Sequence, residues 1–382
     1  MCAIYAHGFT ALDANLKGSK MIHKLMRNSR TPEAQGSAAA PTGRRWAGRG
    51  AVAAIATTAL ALALAGCSTS SGAGNAAGSD QIIVGYSGYT LTNPYFAGLI
   101  KGLEDGAAAH GFKLIQTNSN GDNNTQVSDI QNLVSQGAKY VIISPADASA
   151  IVPAVASAAK SGAVPIGISD TINSPDVKFT VAMDHVAIGE QSAQGIVDHL
   201  TAKYGSPKGK VVEMQGIAGS SAGADRTKGF KNVISKYPEI EVVATADGGF
   251  DTDKTFTAMS SILQAHRDID AVMNANDSEA QGTTKAIEAA GLFAPVGDPK
   301  HIFVTGNDAP APAIADIRAK RQDMTVSSNP IAIGKLAMDK IADLKAGKDV
   351  SGFVEWKGMV ITPANIESEA VKSYGIWADE VR

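Results

Sequence analysis

The sequence predicts an α/β protein built from two doubly wound parallel sheets. From Gln81 onward, short β-branched runs alternate with segments whose apolar residues recur at helical spacing. The runs are continuously apolar, the mark of strands covered by helices on both faces. They also fall into two sets, which implies two such sheets.

In order, the first set of strands is expected at Ile82–Tyr86, Lys113–Thr117, Tyr140–Ser144 and Val164–Ile168. Between them, Phe96, Leu99, Ile100 and Leu103 repeat at helical spacing, as do Val127, Ile130, Leu133 and Val134. The second set is Val211–Met214, Ile240–Ala244, Ala271–Asn274 and Ile302–Thr305, with helices near 221–236, 252–265 and 278–290. The same architecture twice implies duplication, although no clear sequence repeat accompanies it. Asn93-Pro94 reads as a helix start, with Asn capping free N–H groups and Pro suited to the first helical position. Asn329-Pro330 repeats the device ahead of Ile331, Leu336, Met338 and Ile341. In open α/β sheets ligands bind at the carboxyl ends of the strands, so polar residues just after strands are the site candidates.

Residues 1–66 read as a leader. Arg44, Arg45 and Arg49 precede a short apolar run, Ala51–Ala65, which ends in Gly66-Cys67-Ser-Thr-Ser-Ser. These are the ingredients of a secretory signal. The cysteine at the cut makes it resemble a bacterial lipoprotein signal, in which the Cys67 thiol is diacylated. The run is shorter than the roughly 20 apolar residues that span a membrane. Met21 and Met26 are alternative starts within residues 1–43, and Arg44-Arg45 also fits twin-arginine export. Ser68–Ser79 is rich in Ser, Gly and Ala, so residues 67–80 read as a lipidated cysteine and a flexible tether reaching roughly 20 Å. The expected location is the extracytoplasmic face of a bacterial cell membrane or the periplasm.

Removing the leader leaves 316 of 382 residues, enough for two ordinary domains. Cys2 leaves with it, so no disulfide supports the exported part, although its compartment would permit one. The leader holds eight of the 34 Lys/Arg and two of the 37 Asp/Glu, which leaves 26 basic and 35 acidic residues and a net charge of −9. That balance argues against a nucleic-acid partner.

Six motifs follow strand ends in turn: Leu91-Thr92-Asn93-Pro94-Tyr95-Phe96, Ile168-Ser169-Asp170-Thr171, the stretch from Gln215 through Gly219-Ser220-Ser221-Ala222 to Asp225-Arg226 and Gly229-Phe230, Ala246-Asp247-Gly248-Gly249-Phe250-Asp251, Asn274-Ala275-Asn276-Asp277, and Gly306-Asn307-Asp308. Their order and spacing resemble the ribose-binding proteins of the type I periplasmic sugar-binding family, over essentially all of residues 81–362. These share their fold with the ligand domains of LacI-type repressors.

Carried over residue by residue, the resemblance makes Asn93 a polar contact and Tyr95 and Phe96 aromatic walls. It has Asp170 bind sugar hydroxyls, Arg226 reach the ring or anomeric oxygen, Phe250 stack on the opposite sugar face, and Asn276 and Asp308 bond further hydroxyls. Sugar chemistry suits these residue types. Neighbouring hydroxyls donate to a carboxylate, a guanidinium donates as a rigid fork, and rings cover the C–H face. No metal, cofactor or nucleophile is required. Three positions depart from the family pattern: Thr171 stands where Arg is usual, Ser144 where Asn is common, and Ser328 is the best-aligned substitute for a usual Gln. Each shortens a polar side chain, so a pentose, a hexose or a sugar alcohol fits equally well. Read singly, Asp170, Asn276 and Asp308 are turn or helix caps, Phe96 is core and Arg226 a surface ion pair. Their convergence at strand ends favours the ligand role.

The resemblance also implies lobe 1 from residues 81–183 plus 329–356 and lobe 2 from 184–328 plus 357–382. Crossings near Met183-Asp184, Ser328-Asn329 and Trp356-Lys357 form the hinge. The expected function is capture of a monosaccharide or polyol, as a monomer, for an ABC permease with its cytoplasmic ATPase. The rival is a sensor acting on a membrane receptor without transport. LacI-type repression is disfavoured because a leader occupies the place of a DNA-binding head. Gly219-Ser220-Ser221-Ala222-Gly223 matches the G-x-S-x-G elbow of hydrolases, but Gly216-Ile217-Ala218 separates it from its strand. Asn118, Asn120, Asp122, Gln126 and Asp129 partly echo a calcium loop, with Asn123 where Gly is needed and Asp129 where Glu is needed.

Overall fold

The computed structural model describes residues 81–380; the leader, Cys67 and the tether lie outside the described residues. The first sheet contains β1 (Ile83–Gly88), β2 (Lys113–Asn118), β3 (Tyr140–Ile143), β4 (Val164–Ile168), β5 (Phe179–Ala182) and β11 (Gly352–Glu355). The second contains β6 (Gly209–Gln215), β7 (Ile240–Asp247), β8 (Ala271–Asn274), β9 (Phe303–Asp308), β10 (Met324–Ser327) and β12 (Met359–Ile361). Their orders, β11-β5-β4-β3-β1-β2 and β12-β10-β9-β8-β6-β7, are the same winding twice. The pairing is parallel except for β12, which runs antiparallel to β10 and so departs from the all-parallel expectation.

Ten helices cover these sheets among the described residues: α1 (Pro94–His110), α2 (Asn123–Ser135), α3 (Val152–Lys160), α4 (His185–Tyr204), α5 (Ser221–Ile234), α6 (Thr252–Ala265), α7 (Asp277–Ala289), α8 (Ala311–Arg318), α9 (Pro330–Lys345) and α10 (Glu369–Tyr374). A 3-10 turn follows at Trp377–Glu380. The apolar runs bury both strand faces as their composition requires. Val84, Tyr86, Ile142 and Ile166 share a core with α1 and α9, whereas Val141 and Ile143 share one with α2 and α3. In the second sheet Val211 and Met273 pack with α4 and α5, and Val212, Met214 and Val272 with α6 and α7.

Four strands are absent from the sequence reading. Phe179–Ala182 and Met324–Ser327 have only four residues each, Gly352–Glu355 is a largely exposed edge, and Met359–Ile361 has three residues. All four are short, and the first three lack the unbroken apolar run that marks the anticipated strands. Val164–Ile168 and Ala271–Asn274 form with the anticipated ends, whereas the others differ slightly; Ser144, for example, lies just beyond β3. Both anticipated caps form: Asn93 Oδ1 accepts from Tyr95 N at 3.0 Å and Asn329 Oδ1 from Ala332 N at 3.2 Å.

Each sheet with its helices makes a lobe, and the chain passes between them after β5, after β10 and between β11 and β12. Tyr374 ties two of these passages together. Its hydroxyl accepts from Trp356 Nε1 and donates to the Ser327 carbonyl, both at 2.9 Å, and its carbonyl accepts from Asn329 Nδ2 at 3.1 Å.

Candidate ligand-binding site

The loops after β1, β4, β6, β7, β8, β9 and β10 converge on a cavity between the lobes. Of the residues singled out from sequence, Asn93, Tyr95, Phe96, Asp170, Arg226, Phe250, Asn276, Asp308 and Ser328 line it. Ser144 and Thr171 do not. Ser144 is fully buried beside Tyr86; its backbone N–H donates to the Ser87 carbonyl and its own carbonyl accepts from Gln126 Nε2. Thr171 is drawn toward the other lobe by a bond from its backbone N–H to Ser221 Oγ at 2.9 Å. Tyr89, Ser169, Met183, His185 and Ala222 also line the cavity and are additions to the sequence reading.

Lobe 1 supplies an aromatic wall. Phe96 meets Tyr89 and Tyr95 edge-on, with ring centroids 4.9 and 5.1 Å apart. The Tyr95 hydroxyl is held by Ser169 Oγ at 2.8 Å. Lobe 2 supplies Phe250, whose backbone sits in the left-handed region at φ 57°. That conformation costs about 1–2 kcal/mol in a non-glycine residue and is held by a bond from Phe250 N to Glu279 Oε1. A β-carbon at Gly216 would overlap the Phe250 ring, so glycine there makes room for it. Glu279 Oε2 accepts from Ala275 N, and the Ala275 carbonyl in turn accepts from Arg226 Nη1 at 2.8 Å. One buried carboxyl group thereby fixes both the ring and the guanidinium.

Arg226 is buried on α5, with its Cζ 5.7 Å from the Phe250 ring centre. Its Nη2 donates to His185 Nδ1 at 3.3 Å, and His185 Nε2 donates to the Ser169 carbonyl at 2.7 Å. This pattern requires a neutral imidazole with its proton on Nε2. Burial and the Arg226 charge accordingly depress the His185 pKa to about 4. Asp308 lies 3.9 Å from Arg226 Nη2 and accepts from the amides of Asn276 and Asn307. Burial pushes its carboxyl up to about 6 against the pull of Arg226. Its backbone is also strained, at φ 109°, with Ala309 following at 59°. Asp277 Oδ2 holds Ala309 N, and Trp377 Nε1 holds the Asp308 carbonyl. Ser169 shares the left-handed backbone at φ 67°, so the strain gathers around this cavity.

Capping and lining coincide in one residue at two positions. Asn93 and Asn276 each cap a helix through Oδ1 and face the cavity. Arg226 Nε and Ser328 Oγ are buried without a protein partner. Such atoms are costly unless a ligand satisfies them. The wall thus offers unpaired donors, two carboxylates, one guanidinium and rings from both lobes, the donor set of a neutral polyhydroxylated molecule with an apolar face.

The rival motifs are engaged elsewhere. Ser220 Oγ caps α5 by accepting from Gly223 N, and Ser221 Oγ bonds Asp170 and Thr171. Asp122 caps α2, while Gln126 is turned into the core, accepting from Ala146 N.

Three buried carboxyls have raised pKa values through desolvation: Asp308 to about 6, Asp277 to about 7 and Glu279 to about 8. A raised folded-state pKa stabilises the fold below the unfolded-state value and loses that contribution as pH rises through the folded value. Stability should therefore increase as pH falls from 8.5 to 6.5. Below that window His185 and His199, both depressed by burial, protonate preferentially in the unfolded chain and oppose the trend. Scanning calorimetry should give a higher Tm at pH 6.5 than at 8.5; the reverse order would contradict these assignments.

A model of the periplasmic binding protein domain matches residues 84–349. A ribose import binding protein from Bacillus subtilis (strain 168) is 36% identical over 276 residues, covering 72% of this chain and 86% of that protein. A xylitol-binding protein from Mycolicibacterium smegmatis is 32% identical over 244 residues, 63% of this chain and 66% of that protein. Among solved structures, the Caulobacter myo-inositol binding protein with bound myo-inositol superposes with a TM-score of 0.69 at 29% identity, covering 76% of this chain and 97% of that one. An Agrobacterium radiobacter carbohydrate transporter solute-binding protein in complex with D-arabinose reaches 0.72 over 77% and 99% of the two chains; at 22% identity it supports the fold alone.

Proposed function

The chain belongs to the periplasmic binding protein domain family, and we propose that it is an extracytoplasmic lipoprotein that captures a neutral monosaccharide or polyol for an ABC import permease. The observation that carries this reading is the cavity itself: Arg226, Asp308, Asp170 and rings from both lobes surround unpaired polar atoms. The sugar import and polyol-binding relatives support the ligand class.

In this reading Phe250 and the Tyr95–Phe96 pair sandwich the sugar ring, and Arg226 Nε and Ser328 Oγ donate to its oxygens. Asp308 and the free oxygen of Asp170 accept from its hydroxyls, while Asn93 and Asn276 supply amides. Lobe 1 would comprise 81–183 and 329–356, lobe 2 the remainder to 382, rotating about the three crossings. Sugar engages one lobe, and closure brings the other against it. The ligand favours the closed form only by its greater affinity for it, and that form would present the paired surface the permease reads. Ser144 and Thr171 would act behind the wall, through Tyr86 and Ser221.

A thermal-shift panel of pentoses, hexoses and polyols tests the ligand class. One of them should raise Tm in a concentration-dependent way, and a flat response across the panel would remove the reading. For the anchor, Cys67→Ser should move the protein from the membrane to the soluble fraction with ligand response intact. Continued membrane association would remove lipidation at Cys67.

A further inference from the structure

The Asp170 carboxylate spends one of its oxygens on the other lobe. Asp170 follows β4 in lobe 1, yet its Oδ1 accepts from Ser220 Oγ at 2.8 Å, Ser221 Oγ at 3.1 Å and Ala222 N at 2.9 Å, all at the start of α5 in lobe 2. Ala222 N–H is one of the N–H groups that a helix start leaves unpaired, and a negative charge there is favoured by the helix dipole. Ser220 satisfies the next, Gly223 N, so the two side chains complete one cap from opposite lobes. Asp170 Oδ2 forms no hydrogen bond within the described residues and is left for the cavity.

Two backbone contacts run alongside. Thr171 N donates to Ser221 Oγ at 2.9 Å, and Ala148 N donates to the Gly219 carbonyl at 3.1 Å. Gly219 has φ 95°, and a β-carbon there would crowd Asp147 Oδ2 at 2.7 Å. Glycine is what lets that loop approach lobe 1. These five hydrogen bonds cross between the lobes without any ligand atom, beside the one from His185 Nε2 to the Ser169 carbonyl.

We infer that Asp170 and the Ser220–Ser221 helix start form a latch between the lobes, which holds part of the ligand-free population closed and thereby sets ligand affinity. Ser221 is its key positioning residue: it donates to Asp170 and accepts from Thr171 N, but neither lines the cavity nor caps α5. The inference rests on the hinge reading above and not on the identity of the sugar.

The test uses no sugar. Spin labels at Gln131→Cys in lobe 1 and Lys236→Cys in lobe 2, in the chain carrying Cys2→Ser and Cys67→Ser, report the interlobe distance by pulsed electron resonance. The ligand-free reference should show a closed and an open population. Ser221→Ala removes two hydrogen bonds between the lobes and should lower the closed-to-open ratio at least about fivefold, the effect of one net hydrogen bond. Ser221→Thr, which keeps the hydroxyl, should retain the reference ratio. An unchanged distribution in Ser221→Ala, or a reference that is wholly open without ligand, would overturn the latch. A shift in Ser221→Ala in a chain that answers no sugar would support the latch while removing only the sugar reading.

Discussion

Arg226→Ala is expected to lower ligand affinity by two orders of magnitude or more. The side chain is buried, anchored by the Ala275 carbonyl and His185, and stands 3.9 Å from Asp308. Truncation removes the unpaired Nε–H that the reading assigns to a ligand oxygen. It also leaves Asp308 buried without its cationic neighbour, and breaking such pairs costs about 3–5 kcal/mol. Part of that cost falls on the ligand-free protein, so about 3 kcal/mol in binding is a reasonable share, just over a hundredfold at 1.4 kcal/mol per decade. Arg226→Lys should fall between, retaining the charge but not the fork. Affinity should recover partially when Asp308→Asn is added to Arg226→Ala, because the stranded charge is then gone. Equilibrium titration of the four chains as a double-mutant cycle checks this. Additive effects would show that the two residues act separately.

Gly189→Ala is expected to cause a large loss of stability. Helices α4 and α5 pack closely enough that a β-carbon at Gly189 would overlap the Arg226 carbonyl, and one at Gly229 would overlap the Val186 carbonyl. Backbone cannot turn aside as a side chain can, so the overlap should cost about 3 kcal/mol, the upper end of ordinary overpacking. Alanine gains about 1 kcal/mol over glycine in a helix, so the clash wins by about 2 kcal/mol. At about 2–4 °C per kcal/mol for a chain of this size class, Tm should drop by roughly 4–8 °C. The relief available is to push α5 outward, which carries Arg226 with it, so affinity should weaken as well. Scanning calorimetry with a paired titration measures both; an unchanged Tm would mean the helices are less tightly apposed than described.

What the sequence shows and what it hides divide along physical lines. The run Ala271–Asn274 and the helix over 252–265 are read to the residue, the first because it is an unbroken apolar run ending in Asn, the second because a helical period follows an Asp251 cap. The strands Phe179–Ala182 and Met324–Ser327 are hidden because Thr180, Thr325 and Ser327 break their short apolar runs, and β12 because it has only three residues. Polar residues just beyond strands are visible as site candidates, and the structure brings Asn93, Asp170, Asn276 and Asp308 to one cavity. Tyr89 satisfies the same rule but reads as core at the end of an apolar strand. His185 is a lone histidine in the first turn of a helix; only its place at a passage between lobes distinguishes it. Ser144 and Thr171 show the opposite error. A position beside a site residue in sequence need not face the cavity, because Ser144 is buried beside Tyr86 and the Thr171 backbone faces Ser221. The second task of Asp170, across the lobes, is a tertiary contact that no local pattern encodes.

The central claim is that one neutral sugar or polyol is bound between the two lobes by residues from both. Isothermal titration of the chain with the compound selected by the thermal panel tests it most directly, run beside Arg226→Ala from lobe 2 and Tyr95→Ala from lobe 1. The account predicts one molecule bound per chain, with affinity sharply reduced by either substitution. Binding that survives both substitutions unchanged, or no saturable heat with any pentose, hexose or polyol, would contradict it.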